Sequence, residues 1–328
     1  MKKSVSIILA VLMCISLFAF TSCEANESSK DGYTVGICQL VQHVALDAAT
    51  QGFIDTLKAE LGEENVTILN ENASGSGETC TTIVNNFVNK KVDLIMANAT
   101  AALQAAVNGT DTIPVLGTSI TEYGVALGLD DFNGTVGGNV SGASDLAPLS
   151  EQADMILDLY PDAQNVALLY CSSEPNSEYQ VKEIRRLLVE KGLDDANIKD
   201  YSFTDSNDVN SIAAAAAAFA DVIYIPTDNT AASCTEIING VIGEVPVIAG
   251  EEGICSGCGV ATLSISYYDL GVATGKMAVK ILKGEADISK MPIEYAATFT
   301  KKYNAAKCAE LGVDTSALEA KGYIAIGE

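Results

Sequence analysis

Two stretches of the chain open alike and then run in step. Tyr33-Thr34-Val35-Gly36-Ile37-Cys38 is a short apolar run followed by a polar turn and a long amphipathic segment, and Asn165-Val166-Ala167-Leu168-Leu169-Tyr170-Cys171 repeats that order. Strand and helix patterns alternate after each. Strands separated by helical segments of this length form βαβ units and parallel sheets. Right-handed crossovers bring the loop after every strand to one edge, where open α/β sheets bind ligands. The expected fold is α/β, with two doubly wound parallel-sheet lobes. Two lobes in one chain enclose a cleft, and a cleft whose walls move is suited to trapping a small molecule.

In the first half, Ala45, Ala48, Ala49, Phe53, Leu57 and Leu61 recur at helical spacing and predict a helix over Val44–Leu61, ended by Gly62. A strand at Val66–Asn70 follows. The turn Ser74-Gly75-Ser76-Gly77 opens a helix carrying Ile83, Val84, Phe87 and Val88. Strand Val92–Met96, the Ala-rich helix Thr100–Val107 and strand Ile113–Gly117 come next, and a Gly-rich, loop-like stretch runs to about Asp145. The second half begins with strand Asn165–Tyr170, helix Ser177–Lys191 and strand Ile198–Phe203. Helix Val209–Phe219, with six consecutive alanines, leads to strand Val222–Ile225 and helix Thr230–Val241. Strands Val245–Ala249 and Val260–Ile265 precede helix Asp269–Leu282, with Gly284 at its end.

The first residues have the pattern of a leader rather than of the fold. Lys2 and Lys3 precede a mostly apolar run from Val5 to Phe20, shorter than the roughly 20 residues of a membrane span. It ends in Phe20-Thr21-Ser22-Cys23, which resembles a bacterial lipobox with Cys23 as the acylated residue, followed by a polar linker. Residues 1–22 are then a lipoprotein signal peptide and 23–32 a linker. One acyl chain binds a membrane only marginally, so firm anchoring requires more than one.

Net charge is −24, with 43 acidic against 19 basic residues, which argues against nucleic acid and against an anionic membrane surface as partners. Of nine cysteines, Cys14 belongs to the leader and Cys23 to the anchor, which leaves an odd number and rules out a fully paired disulfide framework. Cys38 and Cys171 stand at strand ends and read as small buried hydrophobes. Exported thiols on this scale suit an anaerobic source.

The strand-end loops carry mainly small polar residues and carboxylates. They are Gln39 to His43, Asn98 to Ala101, Thr118 to Glu122, Ser172 to Ser177, Thr227 to Thr230 and Gly250 to Gly253. Any single one is explained by helix capping. Six on one edge exceed what capping requires, and free N–H groups at helix starts bind anions such as a carboxylate. His43, the one histidine, lacks companions for a metal site or a catalytic triad, and fits a cleft wall against a planar ligand. Cys255-Ser256-Gly257-Cys258 lies in a Gly-rich link between strands, where a turn or a local disulfide is expected rather than a redox motif. No Walker loop, G-x-S-x-G or H-E-x-x-H occurs. No enzymatic activity, cofactor or metal is expected.

At these loops the chain resembles the substrate-binding lipoproteins of bacterial ABC importers, in the branch for tryptophan, tyrosine or phenylalanine uptake. The resemblance rests on Val35-Gly36-Ile37, on Gln42 to Ala49, on Gln51-Gly52-Phe53 and Ala99-Thr100, and on Val140 to Asp145. Ser172 to Ser177, Tyr224 to Thr230, Tyr267 to Gly271 and Gly275 to Val279 extend it. It implies a type I periplasmic-binding fold whose chain crosses between lobes near Asp145–Ser150, Ile265–Asp269 and Pro292–Ala296. Lobe 1 would be 33–147 plus 267–293, and lobe 2 would be 148–266 plus 294–328. Many relatives carry an acid where Gln42 stands, so the charge facing a ligand amine would come from Asp228, Glu251 or Asp269.

The candidate ligand-binding residues are Gln42, His43, Ala99, Thr100, Thr118, Ser119, Asp145, Ser172, Asn176, Ser177, Asp228, Asn229, Glu251 and Asp269. Helix starts at Thr100, Ser119 and Asn176 would hold a carboxylate, and His43 would cover a side chain. The expected function is capture of a small ligand, an aromatic amino acid by the resemblance, for an ABC permease and ATPase. A monomer held at the membrane by a lipid anchor at Cys23 is expected. The alternatives are a ligand sensor for a membrane receptor, or a binder of a nucleoside or sugar.

Overall fold

The structure, a computed structural model, describes residues 32–327. The expected leader and the expected acylation site at Cys23 lie outside the described residues. In chain order the strands are β1 (Tyr33–Gln39), β2 (Val66–Asn72), β3 (Leu94–Asn98), β4 (Val115–Ile120) and β5 (Val140–Ser144). Then come β6 (Val166–Cys171), β7 (Ile198–Phe203), β8 (Val222–Ile225), β9 (Val247–Ala249) and β10 (Ala261–Ser264). The last are β11 (Glu294–Tyr295), β12 (Thr300–Tyr303) and β13 (Ile324–Ala325). They form two sheets, of order β11-β5-β4-β3-β1-β2 and β13-β12-β10-β9-β8-β6-β7. The first is parallel throughout. In the second, β12 runs antiparallel to β10.

Both faces of each sheet are covered, which is why the central strands read as unbroken apolar runs. Along β6, Val166, Leu168 and Tyr170 enter one core, while Ala167, Leu169 and Cys171 enter the opposite one. In β3 likewise, Leu94 and Met96 pack on one side and Ile95 and Ala97 on the other.

The helices Val44–Leu61 and Tyr267–Leu282 lie against one another on the first sheet. Their backbones approach so closely that a Cβ on Gly52 would stand 2.1 Å from the Tyr268 carbonyl oxygen, and one on Gly271 2.0 Å from that of Ala49. This packing brings the starts of both helices, at His43 and Tyr267, to the same end of the lobe.

The chain passes between sheets after β5, after β10 and after β11. Glu294 and Tyr295 pair with Ala143 and Ser144 of β5, so they belong to the first sheet and not to the second lobe. The last crossing therefore falls between Tyr295 and Thr300. Three further departures have local causes. The Gly-rich stretch before Asp145 holds a short helix, Tyr123–Leu127, and the strand β5, whose small residues give no β-propensity signal. The segment expected as helix Thr230–Val241 is two short helices, Asn229–Ser233 and Thr235–Asn239, broken at Cys234. Cys255 and Cys258 sit in a helix, Glu252–Cys258, and neither is in a disulfide. Glu251 caps that helix by accepting from Gly253 N and Ile254 N, a cap the glycines of the segment obscured. Burial pushes the Cys258 thiol up to about 12 and raises Cys255 well above the ordinary thiol value, as suits packing residues rather than reactive thiols.

Candidate functional site

The carboxyl ends of the two sheets face each other across a narrow cavity of about 10 Å³, room for roughly one water molecule. The first sheet and its helices supply His43, Leu46, Ser119, Thr121, Asp145 and Tyr267. The second supplies Asn176, Thr227, Asp228, Asn229, Ala232 and Glu251. The lining includes no lysine or arginine.

Three carboxylates line this space and each is almost fully buried, but their oxygens are used differently. Asp228 caps the helix Asn229–Ser233, accepting from Ala231 N at 2.7 Å and from Cys171 N at 2.6 Å. Burial and the neighbouring Glu174 carboxylate push it up to about 7. Glu251 likewise spends both oxygens on its helix, and burial raises it to about 7. Asp145 differs. Its Oδ2 accepts from the Tyr267 hydroxyl at 2.9 Å, while Oδ1 is buried and accepts nothing. Burial raises Asp145 to about 6, with the Tyr267 and Thr121 hydroxyls drawing it back down.

Four buried polar atoms without a protein partner belong to lining residues: His43 Nδ1, Ser119 Oγ, Asp145 Oδ1 and Asn176 Oδ1. Buried polar groups in folded proteins are nearly always hydrogen-bonded. Their convergence on one cavity marks it as a place that binds something polar. Ser119 is also held at φ 56, a left-handed backbone that costs a non-glycine residue about 1 kcal/mol or more.

Behind the cavity, residues that are not part of its lining hold it in shape. Glu174 accepts from the backbone N–H of Asn229 and Thr230, from the Thr230 hydroxyl and from the Asn229 and Asn176 amides. Under the first turn of helix Val44–Leu61, Thr50 Oγ1 donates to Gln39 Oε1 at 2.6 Å, and Asn98 Nδ2 donates to Leu46 O and Thr50 Oγ1. This network fixes the turn that presents His43.

Of the residues singled out from sequence, His43, Ser119, Asp145, Asn176, Asp228, Asn229 and Glu251 come together around the cavity. Ser177 is buried directly behind it, beside Asp228. Ala99, Thr100 and Thr118 are buried within the first lobe but do not line the cavity; Thr118 Oγ1 instead bonds Thr274 at 3.2 Å. Gln42 and Ser172 are exposed and lie outside the lining. Asp269 is also outside it, exposed on the first turn of helix Tyr267–Leu282 beside a separate recess. Its place in that turn directs the side chain to solvent and Tyr267 to the cavity. Sequence reasoning did not assign Leu46, Thr121, Thr227, Ala232 or Tyr267 to the site. Thr121 and Thr227 stand in the loops it selected, whereas Leu46 and Ala232 are ordinary helix residues with no local signal.

A cleft between two α/β lobes, lined by buried polar atoms from both, defines a two-lobed small-molecule binding protein. The chain matches the family of ABC transporter substrate binding proteins over residues 34–319, and it belongs to that family. It is 33% identical over 307 residues to the tyrosine-binding protein of Clostridioides difficile strain R20291, covering 89% of this chain and 87% of that one. A Streptococcus pneumonia ABC domain in complex with L-Trp is 31% identical with a TM-score of 0.83, covering 89% of this chain and 99% of that one. The ligand-free, open substrate-binding protein with adhesive properties from Clostridium difficile is 33% identical but scores 0.68, covering 90% of this chain and 99% of that one. In this chain His43 Nε2 stands 3.3 Å from Asn229 Oδ1, a contact across the cleft.

Proposed function

We propose that this substrate-binding protein captures an aromatic L-amino acid and delivers it to an ABC importer from outside the cytoplasm. The observation that carries the reading is the single unpartnered, buried carboxylate oxygen, Asp145 Oδ1. An ammonium group placed there would neutralise a charge that burial otherwise disfavours. Asp228 and Glu251 have no such oxygen to offer, since backbone N–H groups already bond both oxygens of each. With no cationic side chain in the lining, the ligand's carboxylate would rest on neutral donors such as the Ser119 hydroxyl, together with helix N-termini. Leu46, Ala232 and the rings of His43 and Tyr267 supply apolar surface for a flat side chain. The tyrosine-binding relative and the L-Trp complex support that ligand class.

Acylation of Cys23 would keep the protein beside its permease, and a monomer is sufficient because one chain supplies both walls of the cleft. A thermal-shift screen of the amino acids, nucleosides and sugars tests the reading, since a ligand that binds only the folded state raises the melting temperature. Tyrosine or tryptophan should raise it. A rise with a nucleoside or sugar, and with no amino acid, would overturn the assignment.

A further inference from the structure

His43 is the one histidine in the chain, and its two ring nitrogens have different surroundings. Nε2 stands 3.3 Å from Asn229 Oδ1. Nδ1 is buried without a partner, on a ring that lines the interlobe cavity. Which nitrogen carries hydrogen is settled by the residue behind Asn229. Asn229 Nδ2 donates to Glu174 Oε2 at 2.8 Å, and the Asn229 backbone N–H donates to the same oxygen at 3.1 Å. Turning the Asn229 amide over would set its carbonyl oxygen against a carboxylate, so Oδ1 must face the histidine. An amide oxygen only accepts. His43 Nε2 is therefore the protonated nitrogen.

The ring is also neutral. Neither of its nitrogens bonds a carboxylate. Burial, the largest influence, pushes its pKa below the ordinary value, against the Asn229 bond and the fields of Glu174 and Asp47. Asp145, Asp228 and Glu251 share the cavity with it, and the last two are already compensated by backbone N–H groups. A neutral imidazole with hydrogen on Nε2 offers a lone pair at Nδ1.

We propose that His43 Nδ1 accepts a hydrogen bond from the far end of the ligand's side chain, so that the site selects an aromatic amino acid bearing an N–H or O–H donor and rejects phenylalanine. The inference rests on the amino-acid reading above, in which Asp145 takes the ammonium and leaves His43 for the side chain. The tyrosine phenol and the tryptophan indole each carry one such donor, and phenylalanine carries none. A site built around a buried polar group discriminates strongly against the analogue that leaves it unpaired.

Isothermal titration of the chain lacking residues 1–22 with L-tyrosine, L-tryptophan and L-phenylalanine, beside the His43→Phe variant, tests it. Phenylalanine should bind at least tenfold more weakly than the better of the other two. In His43→Phe that gap should shrink to less than about threefold, through weaker binding of the donor-bearing ligand. Equal binding of all three by the native chain, or an unchanged gap in the variant, would overturn the inference while leaving the amino-acid reading standing. Failure of all three to bind would overturn both. Because the chain has a single histidine, nitrogen-15 NMR of the imidazole gives a readout that does not depend on the variant folding. Hydrogen on Nε2 alone, with the Nδ1 resonance shifting when tyrosine or tryptophan is added, is the expected spectrum. Protonation of both nitrogens in the complex would mean that the ring donates to a ligand carboxylate, and would overturn the proposal.

Discussion

The Tyr267 hydroxyl donates to Asp145 Oδ2 at 2.9 Å, and this bond joins two of the three segments that connect the lobes. Asp145 follows β5 directly, and Tyr267 opens the helix that follows β10. The other oxygen of the same carboxylate is the unpartnered one in the cavity. One side chain thus meets both the hinge and the ligand space, which gives a ligand charge a direct route to the hinge.

Affinity should fall on acidification through the range in which Asp145 titrates. Burial raises this group to about 6 in the ligand-free protein, and only its ionised form attracts an ammonium. Binding measured between pH 8 and pH 5 should weaken as pH drops through about 6, by close to tenfold per unit well below that point. Asp145→Asn should bind weakly throughout and lose this dependence.

Stability without ligand should move in the opposite direction. Asp145, Asp228 and Glu251 have folded-state values of about 6, 7 and 7, above the roughly 4 of an unfolded carboxylate. Between about pH 4 and pH 7 the folded chain therefore holds protons that the unfolded chain has lost, and these three groups make stability fall as pH rises through that window. The melting temperature of the ligand-free protein should rise on going from pH 7.5 to pH 5.5. The three-residue variant Asp145→Asn, Asp228→Asn, Glu251→Gln should show a smaller rise.

Tyr267→Phe should shift the acid limb of binding to higher pH. The phenol bond favours the ionised form of Asp145, so its loss raises the carboxyl further. The expected result is several-fold weaker binding at pH 7 and recovery at higher pH. A purely structural defect would weaken binding equally at every pH.

The strand–helix rhythm was legible because its physical causes are local. The 3.6-residue spacing over Val44–Leu61 marks that helix to its observed ends. Strand β5, next to the edge of its sheet, leaves no sequence signal because Ser141, Gly142, Ala143 and Ser144 have no strand preference; the position instead requires small residues. A Cβ on Gly142 would stand 2.1 Å from the Gly117 carbonyl oxygen. The helix Leu149–Leu159 was passed over because its start, after Pro148, has no side-chain cap. The loops of the site are legible in sequence, but the partner of an ammonium is not: the sequence points to Asp228, Glu251 and Asp269. Sequence does not reveal which carboxylate oxygens backbone N–H groups already bond, and only the structure separates Asp145 from Asp228 and Glu251.

Gly271→Ala should destabilise the chain by about 2 kcal/mol, the usual cost of overpacking, despite the better helix propensity of alanine. The added methyl would meet the Ala49 carbonyl oxygen and part the two helices whose starts carry His43 and Tyr267. Chemical denaturation should show the loss, and ligand affinity should drop with it.

The pairing of the ligand's ammonium with Asp145 is tested most directly by a thermodynamic cycle. L-tyrosine and its desamino analogue, 3-(4-hydroxyphenyl)propanoate, would be titrated into the native chain and into Asp145→Asn at pH 8. The ammonium should be worth at least tenfold in affinity to the native chain, about 1.4 kcal/mol, and little to the variant, so the two changes should be strongly non-additive. Additive losses, with the ammonium worth as much to Asp145→Asn as to the native chain, would contradict the account.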